Sequence, residues 1–499
     1  MANVKASTLV ISLALLLFTL PAFAQNGPPT YAWASTSTQT IAMPITAPFN
    51  SMTPAGTVIV DNTVSPGAHI LRLTDRSMQS EAFNATEGGE TRDYVSNTTE
   101  TVLYTPSSGG SIWLVSINPK TLQRIANSPG GVCNGSFKWS TVQDNVGFCL
   151  LDNNQTATVN GQTVTGDSLT TYKLTFAYGI GLNCGFNNCV DVTQPPVWTL
   201  FASFANDCSE AQIAPTWRSA VSIASSDTVV SASYSTAGGQ DTGHLSFLDN
   251  VSTKTCKTVD WAGNGVSPLI YPKLSGTPVV AMNGFTSQPL QCVFSTIHAS
   301  SLTNLWLQAA YEAATGRDCS GFNAESPMLW DQSGVTIYPM STIQYSAGHS
   351  AMDEENWYSN NLYAFPLSNL ASGALIGNIS TPGCSTCYDD HFSADWLHLG
   401  WPLIGTTGGR GGEVWALSPG GGPVMRFVKT YSSGDNGRNI PTGQPQNLFE
   451  AESSIGGSGQ GRTIYCFTSD MLGQLGTFTD NQGNQWLQSD VFCVGLAGQ

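Results

Sequence analysis

The stretch Ser453–Met471, SSIGGSGQGRTIYCFTSDM, decides the fold together with the turn TDNQGNQW (Thr479–Trp486) and the run SDVFCVGL (Ser489–Leu496) that follow it. It reads as a small polar turn, a β-rich run, a hairpin turn and a second β-rich run. Apolar and polar residues alternate within the runs, and Gly, Asn and Asp punctuate them, as in short antiparallel strands. The phrase recurs upstream in Asp93–Gln123, in Phe137–Phe176 with a hairpin turn at Asn160-Gly161, and in Thr216–Asp249. It returns in Pro268–Gln308, Ser333–Leu367 and His391–Pro419. No unit of this size buries both faces of its sheet without neighbours, so the recurrence predicts an all-β fold, a β-propeller of seven blades.

Working outward, the short β-branched run at Thr57–Val60 and the run His69–Asp75 predict an N-terminal strand that completes the sheet of DVFCVGL and closes the ring, leaving no open edge. The propeller domain then occupies residues 56–499 as one unit, a size that repeat architectures reach by adding modules. A β-sandwich accommodates too few units, and a β-helix needs shorter and more regular ones. Only LWLQAAYEAATG (Leu305–Gly316) reads as briefly helical. Residues 25–55, rich in Ser, Thr, Pro and Ala without a sustained period, read as a tail or linker over the first blade.

Residues 1–24 carry one Lys, an apolar stretch from Leu9 to Leu20 and the small-residue site Ala22-Phe23-Ala24, the pattern of a secretory signal peptide cut after Ala24. The apolar stretch falls short of the ~20 residues that span a bilayer. The expected mature protein is therefore soluble, without a membrane span, and secreted to the periplasm or the exterior. Twelve cysteines fit an oxidising compartment. Proximity suggests the pairs Cys133 with Cys149, Cys184 with Cys189, Cys208 with Cys256, Cys292 with Cys319, and Cys466 with Cys493.

Only 10% of residues are charged, and 34 Asp plus Glu against 18 Lys plus Arg leave a net charge of −16. Without a basic cluster, that field repels phosphate backbones and anionic lipid headgroups, so nucleic acid is not the expected partner. The 13 Trp, 15 Tyr and 21 Phe sit among polar amides, a composition suited to sugar faces, although strand aromatics first of all fill the core between sheets.

Two neighbouring segments concentrate the scarce ionisable groups. One runs from Tyr345 to Tyr358 and contains His349, Asp353, Glu354 and Trp357; the other runs from Cys384 to His398 and contains Asp390, His391 and Trp396. Together they hold three of the six histidines. A glycoside hydrolase needs two carboxyl groups ~5 to 10 Å apart across a sugar, which Asp390 with Asp353 or Glu354 could supply, as could Glu450 or Glu452. A binding-only site needs no more than Trp357, Trp396 and Trp401 as stacking platforms beside Asn and Gln. Cys384, Cys387, His391 and His398 also write C-x2-C-x3-H-x6-H, a short zinc spacing, although in an exported protein the two cysteines more readily form disulfides. A thioredoxin-like role for that pair lacks its βαβ context.

The strand phrasing resembles secreted bacterial propellers of the broad TolB-like and oligogalacturonate-lyase-like group. The resemblance is carried by FKWSTVQDNVGFCLLD (Phe137–Asp152), GHSAM (Gly348–Met352), DDHFSADW (Asp389–Trp396), TIYCFTSD (Thr463–Asp470) and DVFCVGL (Asp490–Leu496). It implies funnel histidines that bind a divalent metal and neutralise a uronate carboxylate while a base removes the adjacent proton. By that resemblance His349, His391 and His398 are the metal ligands, and Arg92 and Arg410 are substrate clamps. The chain departs from the group in having no paired His-x-His motif. Its negative charge also suits a neutral glycan better than a polyanion unless metal offsets it.

Other signals are weaker. GHSAM lacks the last Gly of a nucleophile elbow, and GGRGG (Gly408–Gly412) precedes no helix. His69, His244 and His298 read as strand side chains, and Asn97 and Asn378 as surface acceptor sites if the host glycosylates. The expectation is a secreted monomer that recognises an extracellular glycan in its axial funnel, with or without cleavage by Asp390, Asp353, His391 and His349. A metal-dependent lyase and a non-enzymatic protein-interaction or cell-surface scaffold stand as alternatives.

Overall fold

The computed structural model describes residues 53–61, 68–75, 77–78, 94–96, 101–106, 111–118, 121–140, 143–179, 189–208, 217–218, 222–223, 227–235 and 244–261, and then the strands between 267 and 497. Side chains are described mainly up to Cys256 and around Cys466–Val494. Within this set the chain is nearly all β. Its one α-helix is the four-residue turn Phe204–Asp207.

The strands form successive antiparallel meanders. Tyr94–Ser96, Thr101–Pro106, Ser111–Asn118 and Gln123–Asn127 follow one another, then Cys133–Trp139, Val146–Leu151, Thr170–Thr175 and Val197–Ser203. These two meanders touch edge to edge through Ser111↔Asn134 and Ile112↔Cys133. Further meanders occupy residues 217–261, 267–306, 329–378 and 387–429. The last sheet runs in the order Val58–Asp61, Ala68–Arg72, Asp490–Ala497, Arg462–Ser469, Ala451–Gly456, so the N-terminal strand pairs with the C-terminal one in the register Ile70↔Val494, Leu71↔Cys493, Arg72↔Phe492.

Burial shows why these sheets stack. Residues of the Val146–Leu151 strand alternate in direction, yet all six are buried, because each face meets a different sheet. Cys149 and Leu151 pack with Ile112, Leu114, Phe137, Trp139 and Leu174. Val146, Phe148 and Leu150 pack with Phe204, Val230, Ala232 and Phe247, which belong to the following sheet and its approach. The Ser111–Asn118 strand repeats this one layer earlier. Ile112 and Leu114 face the cluster just described, while Trp113, Val115 and Ile117 meet Leu71, Leu73, Cys466, Val491 and Cys493 of the sheet that joins the termini. Each large apolar side chain so enclosed contributes about 1.5–3 kcal/mol relative to exposure.

Local chemistry agrees with the sequence at the hairpin Thr156–Val159/Gln162–Thr165, whose turn residues Asn160 and Gly161 have φ of 49° and 83°. Two successive left-handed residues match the twist of a two-residue hairpin, which is why Asn-Gly is favoured there. The Asn160 amide also exchanges hydrogen bonds with the backbone of Trp198, docking the ribbon on the outer Val197–Ser203 strand. Three expected disulfides are formed: Cys133–Cys149, Cys208–Cys256 and Cys466–Cys493. Cys189 is also disulfide-bonded, while Cys184 and Cys319 lie outside the described residues.

The expected helix at Leu305–Gly316 is corrected at its start. Leu305 and Trp306 belong to the Thr303–Trp306 strand and pair with Thr296 and Ser295, since a neighbouring strand offers them a ladder that local pattern cannot reveal. Residues 307–316 are outside the described set, as are the signal sequence and the tail up to Met52. Among the described residues no helix is long and apolar enough to cross a membrane.

Candidate functional site

Asp390 and His391 fall on the Cys387–Asp395 strand, the first of its meander, which pairs with Trp401–Gly408. The register runs Asp389↔Thr406 and resumes at Phe392↔Ile404, so Asp390 and His391 together stand opposite Gly405 alone. Two residues against one is a β-bulge, a device that bends the strand, interrupts the ladder and re-aims side chains. The bulged strand lies against Ala451–Gly456, an edge strand of the sheet that joins the termini, which in turn lies beside Tyr94–Ser96. Ala451–Gly456 carries Glu452, paired in register with Cys466. Trp401 opens the partner strand opposite Asp395, and Cys387 stands opposite Gly408.

The other sequence-predicted residues, His349, Asp353, Glu354, Trp357, Trp396, His398, Arg92, Arg410, Cys384 and Glu450, lie outside the described residues. His69, His244 and His298 take strand positions, in Ala68–Arg72, His244–Asn250 and Cys292–His298. Among the described residues no group of three or more His, Cys, Asp or Glu is arranged to hold a metal ion.

Two polar clusters not singled out in the sequence lie among the described side chains. The first seals the joint between the termini. Arg72 and Asp490, 3% and 1% exposed, pair at 2.5 Å between Nη2 and Oδ2. Arg72 Nε donates to Thr74 O at 3.1 Å, and Nη1 donates to Thr53 O. Thr74 Oγ1 donates to Asp490 Oδ1 and accepts from the Val491 amide. Next to it, burial opposes the Asp75 carboxylate, but hydrogen bonds from Ser77 and the Ala55 amide, with the charge of Arg72, hold its pKa below the ordinary range.

The second cluster joins Asp207, at the end of the short helix, to Asp249 and Lys254. Asp207 pairs with Lys254 at 3.2 Å. Asp249 is fully buried and neither of its carboxyl oxygens receives a hydrogen bond. Burial, then the negative charge of Asp207, push the Asp249 pKa up to about 7, with Lys254 acting the other way. The sequence offers half of the signal, since Asp207 precedes Cys208; the strand register adds the rest by setting Asp249 opposite Cys256, the partner of Cys208 in the disulfide.

No protein-family model matches the chain, and no curated protein is similar to it. Among solved structures it is similar to the polysaccharide lyase Uly1, at 8% identity and TM-score 0.34 over 83% of this chain and 90% of that one. It is similar also to the β-propeller domain of the Trilobed protease from Pyrococcus furiosus, at 6% identity and TM-score 0.39 over 83% of this chain and 94% of that one. A third is oligopeptidase B from Leishmania major, at 8% identity and TM-score 0.38, covering 85% of this chain and 52% of that protein. At these identities and scores the likeness carries no argument about what the chain binds or does.

Proposed function

We propose that this is a secreted, seven-bladed β-propeller that recognises an extracellular glycan in an axial funnel centred on Asp390 and His391. The blade count follows if the two meanders joined by Ser111↔Asn134 and Ile112↔Cys133 are taken as separate blades and the sheet that unites the termini is taken as the closing one. The disulfides support an oxidising compartment, and export through the signal sequence at residues 1–24 accounts for it.

The observation that carries the site is the bulge opposite Gly405. It falls on two ionisable residues in a chain with few charges, on the first strand of a meander that adjoins an edge strand of the sheet joining the termini, and bulges are enriched where a strand must re-aim functional side chains. A neutral glycan suits the net charge of −16. In this reading Asp390 and His391 work with His349 and Asp353, Trp357, Trp396 and Trp401 stack on sugar rings, and Arg92 and Arg410 orient the ligand.

The test incubates purified mature protein with neutral and uronic polysaccharides, with and without chelator and added divalent metal, and reads retention, reducing ends and the ultraviolet absorbance of unsaturated uronates. Retention lost in Asp390→Asn and His391→Ala supports the site. Reducing ends without the absorbance, abolished in Asp390→Asn, identify hydrolysis. Reducing ends with it, abolished by chelation, identify the lyase. No retention and no product across the panel sinks the glycan reading and leaves the scaffold.

A further inference from the structure

The Cys208–Cys256 disulfide ties the turn that ends one meander to the outer hairpin of the next, and so brings the turn residue Asp207, which precedes Cys208, towards Asp249, which stands opposite Cys256. Asp249 lies fully buried between Val230 and Cys256 in the sheet register, and no donor reaches either oxygen. Asp207, 11% exposed, already accepts at Oδ2 from Lys254 Nζ, whose own side chain is 60% exposed. Lys254 can balance one negative charge here, not two, and two adjacent buried carboxylates are strongly disfavoured when both are ionised. A hydrogen on Asp249 removes the second charge and gives one of its two unpartnered oxygens a hydrogen bond, donated to Asp207.

We propose that Asp249 and Asp207 share one proton and form an acid-tightened latch, which holds the Phe204–Asp207 turn on the Asn250–Thr255 hairpin more firmly below neutrality than above it. The charged groups that act on Asp249 are Asp207, from the helical turn, and Lys254, from the hairpin; Cys256, on the adjacent strand, is in the disulfide and does not titrate. Val230, its partner on the other side, is apolar. An exposed aspartate ionises near pH ~3.9, so opening the latch releases a proton between that pH and the raised folded value of about 7. The contribution is therefore complete in acid, declines as pH rises through that window and levels off above it.

Hydrogen exchange read by mass spectrometry on the oxidised full chain tests this, following peptides that cover residues 204–208 and 250–256 and correcting for the intrinsic pH dependence of exchange. Opening should become at least about tenfold more frequent from pH 5 to pH 7, and change little from pH 7 to pH 8. In Asp249→Asn the dependence should vanish; should that variant fail to fold, Asp207→Asn should shift the window to lower pH by removing the neighbouring charge. Corrected exchange that is flat from pH 5 to pH 7 in the wild type, or unchanged in either variant, overturns the latch. So does protection that follows added calcium and is lost on chelation at constant pH, since a cation rather than a proton would then neutralise the pair.

Discussion

Replacing Asp490 by alanine should loosen the joint between the two ends of the chain by an amount that can be worked out in advance. The substitution takes the paired carboxylate from the Arg72 guanidinium, 3% exposed, leaving the carbonyl oxygens of Thr74 and Thr53 among its acceptors and Asp75 as a neighbouring charge. It also takes the acceptor from Thr74 Oγ1. Removing one partner of a buried ion pair costs about 3–5 kcal/mol, most of it the penalty of the charge left behind. The double variant Arg72→Met/Asp490→Ala removes that charge too, and should be more stable than Asp490→Ala by about 1–3 kcal/mol. Urea unfolding followed by tryptophan fluorescence reads both, with Trp113 as a local reporter because it packs against Leu71, Val491 and Cys493 of the joint. A loss below about 1 kcal/mol in the single variant, or a double variant no better than the single, would refute the claim that the Arg72–Asp490 pair is desolvated and locks the terminal strands.

Further perturbations probe other layers. The variant Cys466→Ser/Cys493→Ser opens a loop with a sequence separation of 27, which chain entropy values at about 3–4 kcal/mol, so the thermal midpoint of this variant should fall below that of the wild type measured under the same oxidising conditions. Gly147→Ala places a Cβ 2.3 Å from the buried Phe137 ring, which is itself braced edge-on by Trp139 at 5.0 Å, and should cost about 1–3 kcal/mol in denaturant unfolding. Asn160→Ala loses a left-handed turn residue and both hydrogen bonds to Trp198, so amide exchange in residues 156–165 should rise while the core strands stay protected.

Much of the architecture is legible in the sequence because its causes are local. Period-two alternation marks strands, Asn160-Gly161 sets a hairpin through its own backbone preference, and the formed pairs Cys133–Cys149 and Cys466–Cys493 bridge strands that neighbour each other in a sheet and lie close in the chain. The brief helix at Leu305 fails for the same reason in reverse: helix and strand compete for a short apolar run, and the strand partner Ser295–Thr296 decides the contest.

The site divides along the same line. Asp390 and His391 stand out in the sequence as scarce ionisable residues in a phrase of strand character, and that is a property of composition. Their position in a bulge opposite Gly405 depends on how two strands count residues against each other, which composition does not encode. The Arg72–Asp490 pair spans 418 residues, and the Asp207–Asp249 pair exists because a disulfide and a cross-strand register converge. Sequence alone was enough for the strand units and their turns, since each is selected by interactions within a few residues. Which charges meet, which of them lose water and which must share a proton were decided only when distant strands packed, because desolvation and Coulomb energy depend on distances through space and not along the chain.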